Sequence, residues 1–114
     1  MIKFKVGDVV SVEFPFSDLQ THKRRPGLVL ISSDVDLVVA RVTTHPPRVL
    51  SDVALNHWAQ SGLPRASTVR LTKLATIDQR LVHHTIGSLH SEDSRTVAES
   101  WQQLTANVVT ELRE

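Results

Sequence analysis

Two short apolar runs, Leu28-Val-Leu-Ile31 and Leu37-Val-Val-Ala40 continuing to Val42, constrain the fold of this chain more than any other feature. Both are rich in β-branched residues. Pro26-Gly27 opens the first and Ser32-Ser-Asp34 separates the two, so they read as neighbouring strands joined by a turn. Neither alternates apolar with polar residues, which requires cover on both faces of the sheet. Upstream, Val10, Val12 and Phe14 alternate with Ser11 and Glu13, the period of a half-buried strand, and Gly7-Asp8 supplies the turn before it. Downstream, Thr43-Thr-His-Pro-Pro47 ends regular pairing, because proline lacks the donor a sheet ladder needs.

Beyond the prolines, Asp52 reads as the cap of a short helix over residues 51–60, with Gly62-Leu-Pro64 as its stop. Val69 and Leu71 alternate with Arg70 and Thr72, after which the apolar positions change phase to Leu74 and Ile77. That change predicts a bend, a bulge or two successive strands. Leu81-Val82 and Ile86-Gly-Ser-Leu89 read as a last sheet segment interrupted at His83-His84. Ser91-Glu-Asp93 opens a final helix with a capping hydroxyl and acids in the first turn, and Val97, Trp101, Leu104, Val108 and Leu112 share one of its faces. The expected architecture is a strongly bent, mainly β core of short strands with a short inserted helix and a C-terminal helix. At 114 residues it forms one domain over 1–114.

Composition narrows the function classes. A net charge of +1 excludes an overall polycation, so nucleic-acid binding would need local clustering, and His22-Lys-Arg-Arg25 is the densest cluster. The absence of cysteine excludes disulfides, a thiolate nucleophile and thiolate-held metals. No apolar run approaches the ~20 residues needed to cross a bilayer, and the charges interleaved in Met1-Ile-Lys-Phe-Lys5 do not read as a signal peptide. A soluble, cytoplasmic protein is expected. His83 and His84 are adjacent and point to opposite faces of a strand, while His22, His45, His57 and His90 are scattered, so no metal site or cofactor is expected. GxSxG, P-loop and GxGxxG patterns do not occur.

The chemistry-bearing candidates lie where strands begin and end. Pro26 biases Arg25 towards extended backbone and seats it at a stiff loop-to-strand boundary. A guanidinium held there grips a phosphate bidentately and opposes charge that develops on it. Taken alone, the position reads more simply as a basic turn residue. Lys23 and Arg24 are electrostatic helpers, and Thr43 and Thr44 offer hydroxyls where an apolar strand runs out. Trp101 is expected in the core, whereas Trp58 equally suits a groove.

In order and spacing, the segments Gly7-Asp-Val-Val-Ser-Val-Glu-Phe14, Phe16-Ser-Asp-Leu19, Lys23-Arg-Arg-Pro-Gly-Leu-Val-Leu30, Leu37-Val-Val-Ala-Arg-Val-Thr43 and Leu74-Ala-Thr-Ile-Asp78 resemble the PemK/MazF family of toxin endoribonucleases of type II toxin–antitoxin systems. The resemblance implies an SH3-like small β-barrel with helices, a homodimer, and a cognate antitoxin as partner. It further implies metal-independent cleavage of single-stranded RNA in which the ribose 2′-hydroxyl attacks the adjacent phosphate, leaving a 2′,3′-cyclic phosphate and a 5′-hydroxyl. By the same resemblance Arg25 is the catalytic arginine, Thr43 bonds the phosphate or the 2′-hydroxyl, and Asp78 assists proton transfer or base recognition. The chain departs from the family at Ala75, where members carry an arginine, and at Thr72-Lys73, where they carry Asp-Gln. Lys73 would restore a positive charge for RNA binding without matching the arginine's geometry. A barrel that has kept its basic loop but lost its chemistry is the alternative these departures raise.

Overall fold

The unbroken apolarity of the central strands is met by burial on both sides. The computed structural model describes residues 3–13 and 24–114. Phe14, the segment Phe16–Leu19, His22 and the candidate RNA-binding Lys23 lie outside the described residues. Strands β1 (Asp8–Glu13), β2 (Arg24–Ser32), β3 (Asp36–Thr43), β4 (Asp52–Ala54), β5 (Thr68–Asp78) and β6 (His84–Ser88) form one six-stranded sheet in the order β4-β5-β3-β2-β1-β6, and helix α1 (Ser91–Arg113) follows. All strand pairs are antiparallel.

Side chains alternate between the two faces and build two cores. On one face Val9, Leu28, Ala40, Val42, Val69 and Leu71 pack with Val97 of α1, and Trp58, Trp101 and Leu104 close over them. On the other, Val10, Val12, Val29, Leu37, Val39, Ala75 and Ile77 pack with Phe4 and Val82. The phase change seen in the sequence is a bulge: Arg41 pairs with Arg70, but its neighbour Ala40 pairs with Leu74. The extra β5 residues turn the strand over, so that Val69 and Leu71 serve the first core and Ala75 and Ile77 the second.

The expected barrel is an open sheet, because the edge strands β4 and β6 do not pair with each other. A run of turns at 56–62 stands between them. The Ser61-Gly62 backbone presses against Ile86-Gly87: a Cβ on Gly62, whose φ is +86°, would lie 2.5 Å from the Ile86 carbonyl oxygen, and one on Gly87 would collide with the Ser61 carbonyl.

These turns replace the inserted helix expected over 51–60. Asp52 does not cap a helix. Its carboxylate accepts from the Arg48 amide at 3.0 Å and pairs with Arg70, while Val53 pairs with Val69 in a strand. The amides of Asn56 and His57 donate to the buried Asp93 carboxylate at 3.0 and 2.8 Å, a tertiary demand that overrides local helix propensity. Two further expectations shift by a residue or more. The cap of α1 is His90, whose Nδ1 accepts from the Glu92 amide at 3.1 Å, and Ser91 is already helical. Leu81 belongs to a 3₁₀ turn, Gln79–Leu81, and β6 starts at His84. The α1 stripe is covered as far as Leu104; Val108 and Leu112 are 50% and 80% exposed because the helix outruns the sheet.

Gly87→Ala is expected to cost about 1–3 kcal/mol by forcing the 56–62 turns away from β6, measured by urea denaturation. Glu92 tests the other anchor of α1. Its hydrogen bond to His57 (2.9 Å) holds its carboxyl below the ordinary 4.5, so its contribution to stability is complete above that value and is lost as pH falls through the depressed one. Glu92→Gln should therefore melt slightly below wild type near neutral pH, with the gap closing in acid; a gap of constant size would contradict the linkage.

Candidate functional site

The parity that buries Leu37 and Val39 in the second core carries Arg41 and Thr43 onto the same face further along β3. In β2 the same parity leads from Val29 to Gly27 and Arg25. Across the sheet Gly27 pairs with Arg41, Arg41 with Arg70, and Arg70 with Asp52, which makes one row. Extending the β2–β3 register by two residues sets Arg25 level with Thr43, which pairs with Thr68. One end of an apolar face thus becomes cationic within a single pleat.

Here the surface opens into a cleft of about 460 Å³, lined by Arg25, Arg41, Thr43, Thr44, His45 and Arg65, with Leu63, Pro64 and Ser67 as a wall. A smaller compartment of about 160 Å³ adjoins it; Arg48 and Arg70 line this part, and Arg41, Thr43 and His45 are common to both. No carboxylate lines either compartment among the described residues. Arg70 is held by Asp52, Nε to Oδ1 at 3.4 Å, with the Asp52 side chain only 1% exposed. Arg41 has no such partner: its Nε is buried without a hydrogen bond among the described residues. Burial, then the charges of Arg25 and Arg70, push its guanidinium below the ordinary arginine value. The hydroxyl oxygen of Thr43 accepts from the His45 amide at 3.3 Å, which leaves its proton free to donate. Convergent cations with a hydroxyl, in a partly dry recess, suit an oxyanion held at several of its oxygens.

The structure brings Arg25, Thr43 and Thr44 together in the cleft and leaves Asp78, Lys73 and Arg24 outside its lining. Asp36 pairs with Asp78 and Thr43 with Thr68, so Asp78 lies at the opposite end of β3, roughly 23 Å away at the usual rise per residue. Asp78 caps the 3₁₀ turn, and its carboxyl is held below the ordinary range by hydrogen bonds to the Arg80 side chain and amide. Lys73 is exposed in the β5 bulge and does not line the cleft. Arg24 is exposed opposite Glu13 at the start of β2. Ala75, the departure from the family pattern, is buried opposite Val39 in the second core.

Comparison with known proteins follows the same line. Residues 5–105 match the model of the PemK-like, MazF-like toxins of type II toxin–antitoxin systems. The chain belongs to this family. Similar solved structures include a mycobacterial endoribonuclease in complex with its cognate antitoxin, at 15% identity over 82% of this chain and 86% of that one, with a TM-score of 0.65. The Mycobacterium tuberculosis toxin MazF-mt6 is 22% identical over 82% of this chain and 90% of its own, also with a TM-score of 0.65. At these identities the likeness is one of fold. No match was found among curated proteins.

Away from the cleft, the toxin brings donor atoms of His57, His90 and Glu92 within 4.8 Å of one another. The two imidazoles stack with centroids 3.9 Å apart and planes 19° from parallel. An ion bound to both would have to lie in both ring planes at once, which stacked rings do not allow. The cluster works instead as a clamp, His57 on Glu92 and His90 on the helix start. No helix among the described residues is long and apolar enough to cross a membrane.

Arg41, Arg70, His45, Arg48 and Arg65 were not singled out from sequence. A signal for the first two existed. Arg41 interrupts the apolar run of β3 in the parity of Thr43, and Arg70 does the same between Val69 and Leu71. Because Arg41 is half-buried between like charges, Arg41→Met is expected to raise the thermal midpoint slightly, with the gain largest at low salt and shrinking as salt screens the charges.

Proposed function

We propose that this toxin is an endoribonuclease that cleaves single-stranded RNA without a metal ion, by attack of a ribose 2′-hydroxyl on the neighbouring phosphate. The observation that carries the reading is the seating of Arg25 level with Thr43 in a cleft whose described lining residues include no carboxylate. Arg25 pairs with two phosphate oxygens and opposes the charge that grows as the phosphate becomes pentacoordinate. Thr43 donates its hydroxyl proton to the same phosphate or orients the attacking 2′-hydroxyl. The bond from the 2′-oxygen to phosphorus forms, the bond to the 5′-oxygen breaks, and the products carry a 2′,3′-cyclic phosphate and a 5′-hydroxyl. Asp78 lies too far along β3 to move a proton within one chain, whereas His45 lines the cleft and takes the proton of the attacking 2′-hydroxyl, and water supplies the proton that the departing 5′-oxygen gains.

A cytoplasmic homodimer restrained by a cognate antitoxin completes the proposal. Family membership supports it, as does the antitoxin complex of a structurally similar mycobacterial endoribonuclease. The remoteness of Asp78 favours one competing reading, a module that binds RNA and does not cut it.

In EDTA, wild type should cut single-stranded RNA and leave cyclic-phosphate ends, and Arg25→Ala should lower the rate on the order of 10²–10³-fold with an unchanged melting curve. RNA bound but left intact at high protein concentration would select the binding module; cyclic-phosphate ends would eliminate it.

A further inference from the structure

The cationic face of the sheet is longer than one phosphate. Arg25 and Thr43 form one row across β2 and β3, and Arg41 and Arg70 form the next, two residues along each strand. At the usual rise the rows are about 7 Å apart, a spacing that suits consecutive phosphates of an extended single strand. Gly27 sits opposite Arg41 and contributes no side chain, which keeps the second row open on its β2 side. Asp52 anchors Arg70 from behind through Nε, leaving the outer edge of that guanidinium for another partner. Arg41 stands between Arg25 and Arg70 and lines both compartments, with a buried Nε–H that no described residue accepts.

Holding a half-buried cation beside two others is unfavourable for folding, and no acid among the described residues pairs with it. An oxyanion in the compartments that Arg41 lines would meet the open edge of its guanidinium and supply that pairing. We propose that Arg41 and Arg70 form a second phosphate subsite, which grips the phosphate next to the one held by Arg25 and Thr43. The proposal rests on the nucleic-acid reading of the cleft, though not on cleavage. It makes the minimal ligand a dinucleotide that carries one additional terminal phosphate, and it gives the two rows separate tasks: the first faces the reacting phosphate, the second fixes the register of the strand.

The test uses oligodeoxynucleotides, which lack the 2′-hydroxyl and stay intact. Affinities of dithymidylate without a terminal phosphate, with a 5′-phosphate and with a 3′-phosphate are measured by NMR titration against wild type, Arg41→Gln, Arg41→Lys and Arg25→Ala. In wild type, a terminal phosphate at one of the two ends should tighten binding about ten- to hundred-fold, as a charge-assisted contact does. Arg41→Gln should abolish that increment, Arg41→Lys should keep part of it, and Arg25→Ala should weaken all three ligands while preserving it. An increment that survives unchanged in Arg41→Gln, or no increment at either end in wild type, overturns the subsite. Melting curves of the variants show that each is folded. Failure to cut RNA with the increment intact would refute the nuclease and leave the subsite standing; cutting without an increment would do the reverse.

Discussion

Everything in this fold depends on the bulge that lets β5 change faces between Arg70 and Leu74. A strand that kept its phase would place Ala75 and Ile77 on the same side as the alternate residues Val69 and Leu71 only by losing its match to β3, whose own apolar residues switch from Leu37 and Val39 to Ala40 and Val42. The bulge reconciles the two and allows one thin sheet to carry two cores. It also leaves a place where the second face is no longer needed for packing. Beyond Val39 and Val29 that face is free to hold arginines, because the first face with α1 behind it supplies the burial.

The site is therefore a by-product of how the sheet divides its labour. Charge enters where the second core ends, and the strand pairing that registers Leu28 with Ala40 and Val42 with Val69 also registers Gly27 with Arg41 and Arg41 with Arg70. Asp52 is the one acid built into this row, and its burial behind Arg70 means that it steadies the array while offering little to a ligand. Such a surface would gain from an incoming polyanion what it loses by crowding like charges, and the crowding gives a protein of nearly neutral net charge a strongly cationic recess.

Much of this was legible in the residues. The apolar runs of β2 and β3, the phase change in β5 and the long stripe of α1 are local patterns whose meaning does not depend on distant contacts. The pairing of Arg25 with Thr43 follows from reading their strands as neighbours joined at Ser32-Ser-Asp34, whereas the catalytic role of the pair came only from the order of the motifs. The failures have a common cause. Val53-Ala-Leu-Asn-His-Trp-Ala59 has helical propensity but folds as a strand and turns because Arg70 and Asp93, remote in sequence, take up Asp52 and the amides of Asn56 and His57. Asp78, at a family position, pairs with Arg80 two residues on, and within one chain the length of β3 lies between it and the cleft. Arg41 and Arg70 escaped notice because an arginine within a strand reads as an exposed face until the opposite strand is known.

The grip of Asp93 on the amides of Asn56 and His57 has a consequence for how such a chain tolerates sequence drift. The carboxylate bonds to backbone, so the identities at 56 and 57 are free to vary so long as their amides stay in place, whereas no other residue at 93 supplies both acceptor oxygens at that reach. Leu63, Pro64 and Ser67, the wall of the cleft, follow directly on the turns that Asp93 positions. Divergent copies of this protein would then show one constant acid at a helix start facing a variable pair, a pattern easily mistaken for a catalytic carboxylate although both of its oxygens are taken by backbone amides.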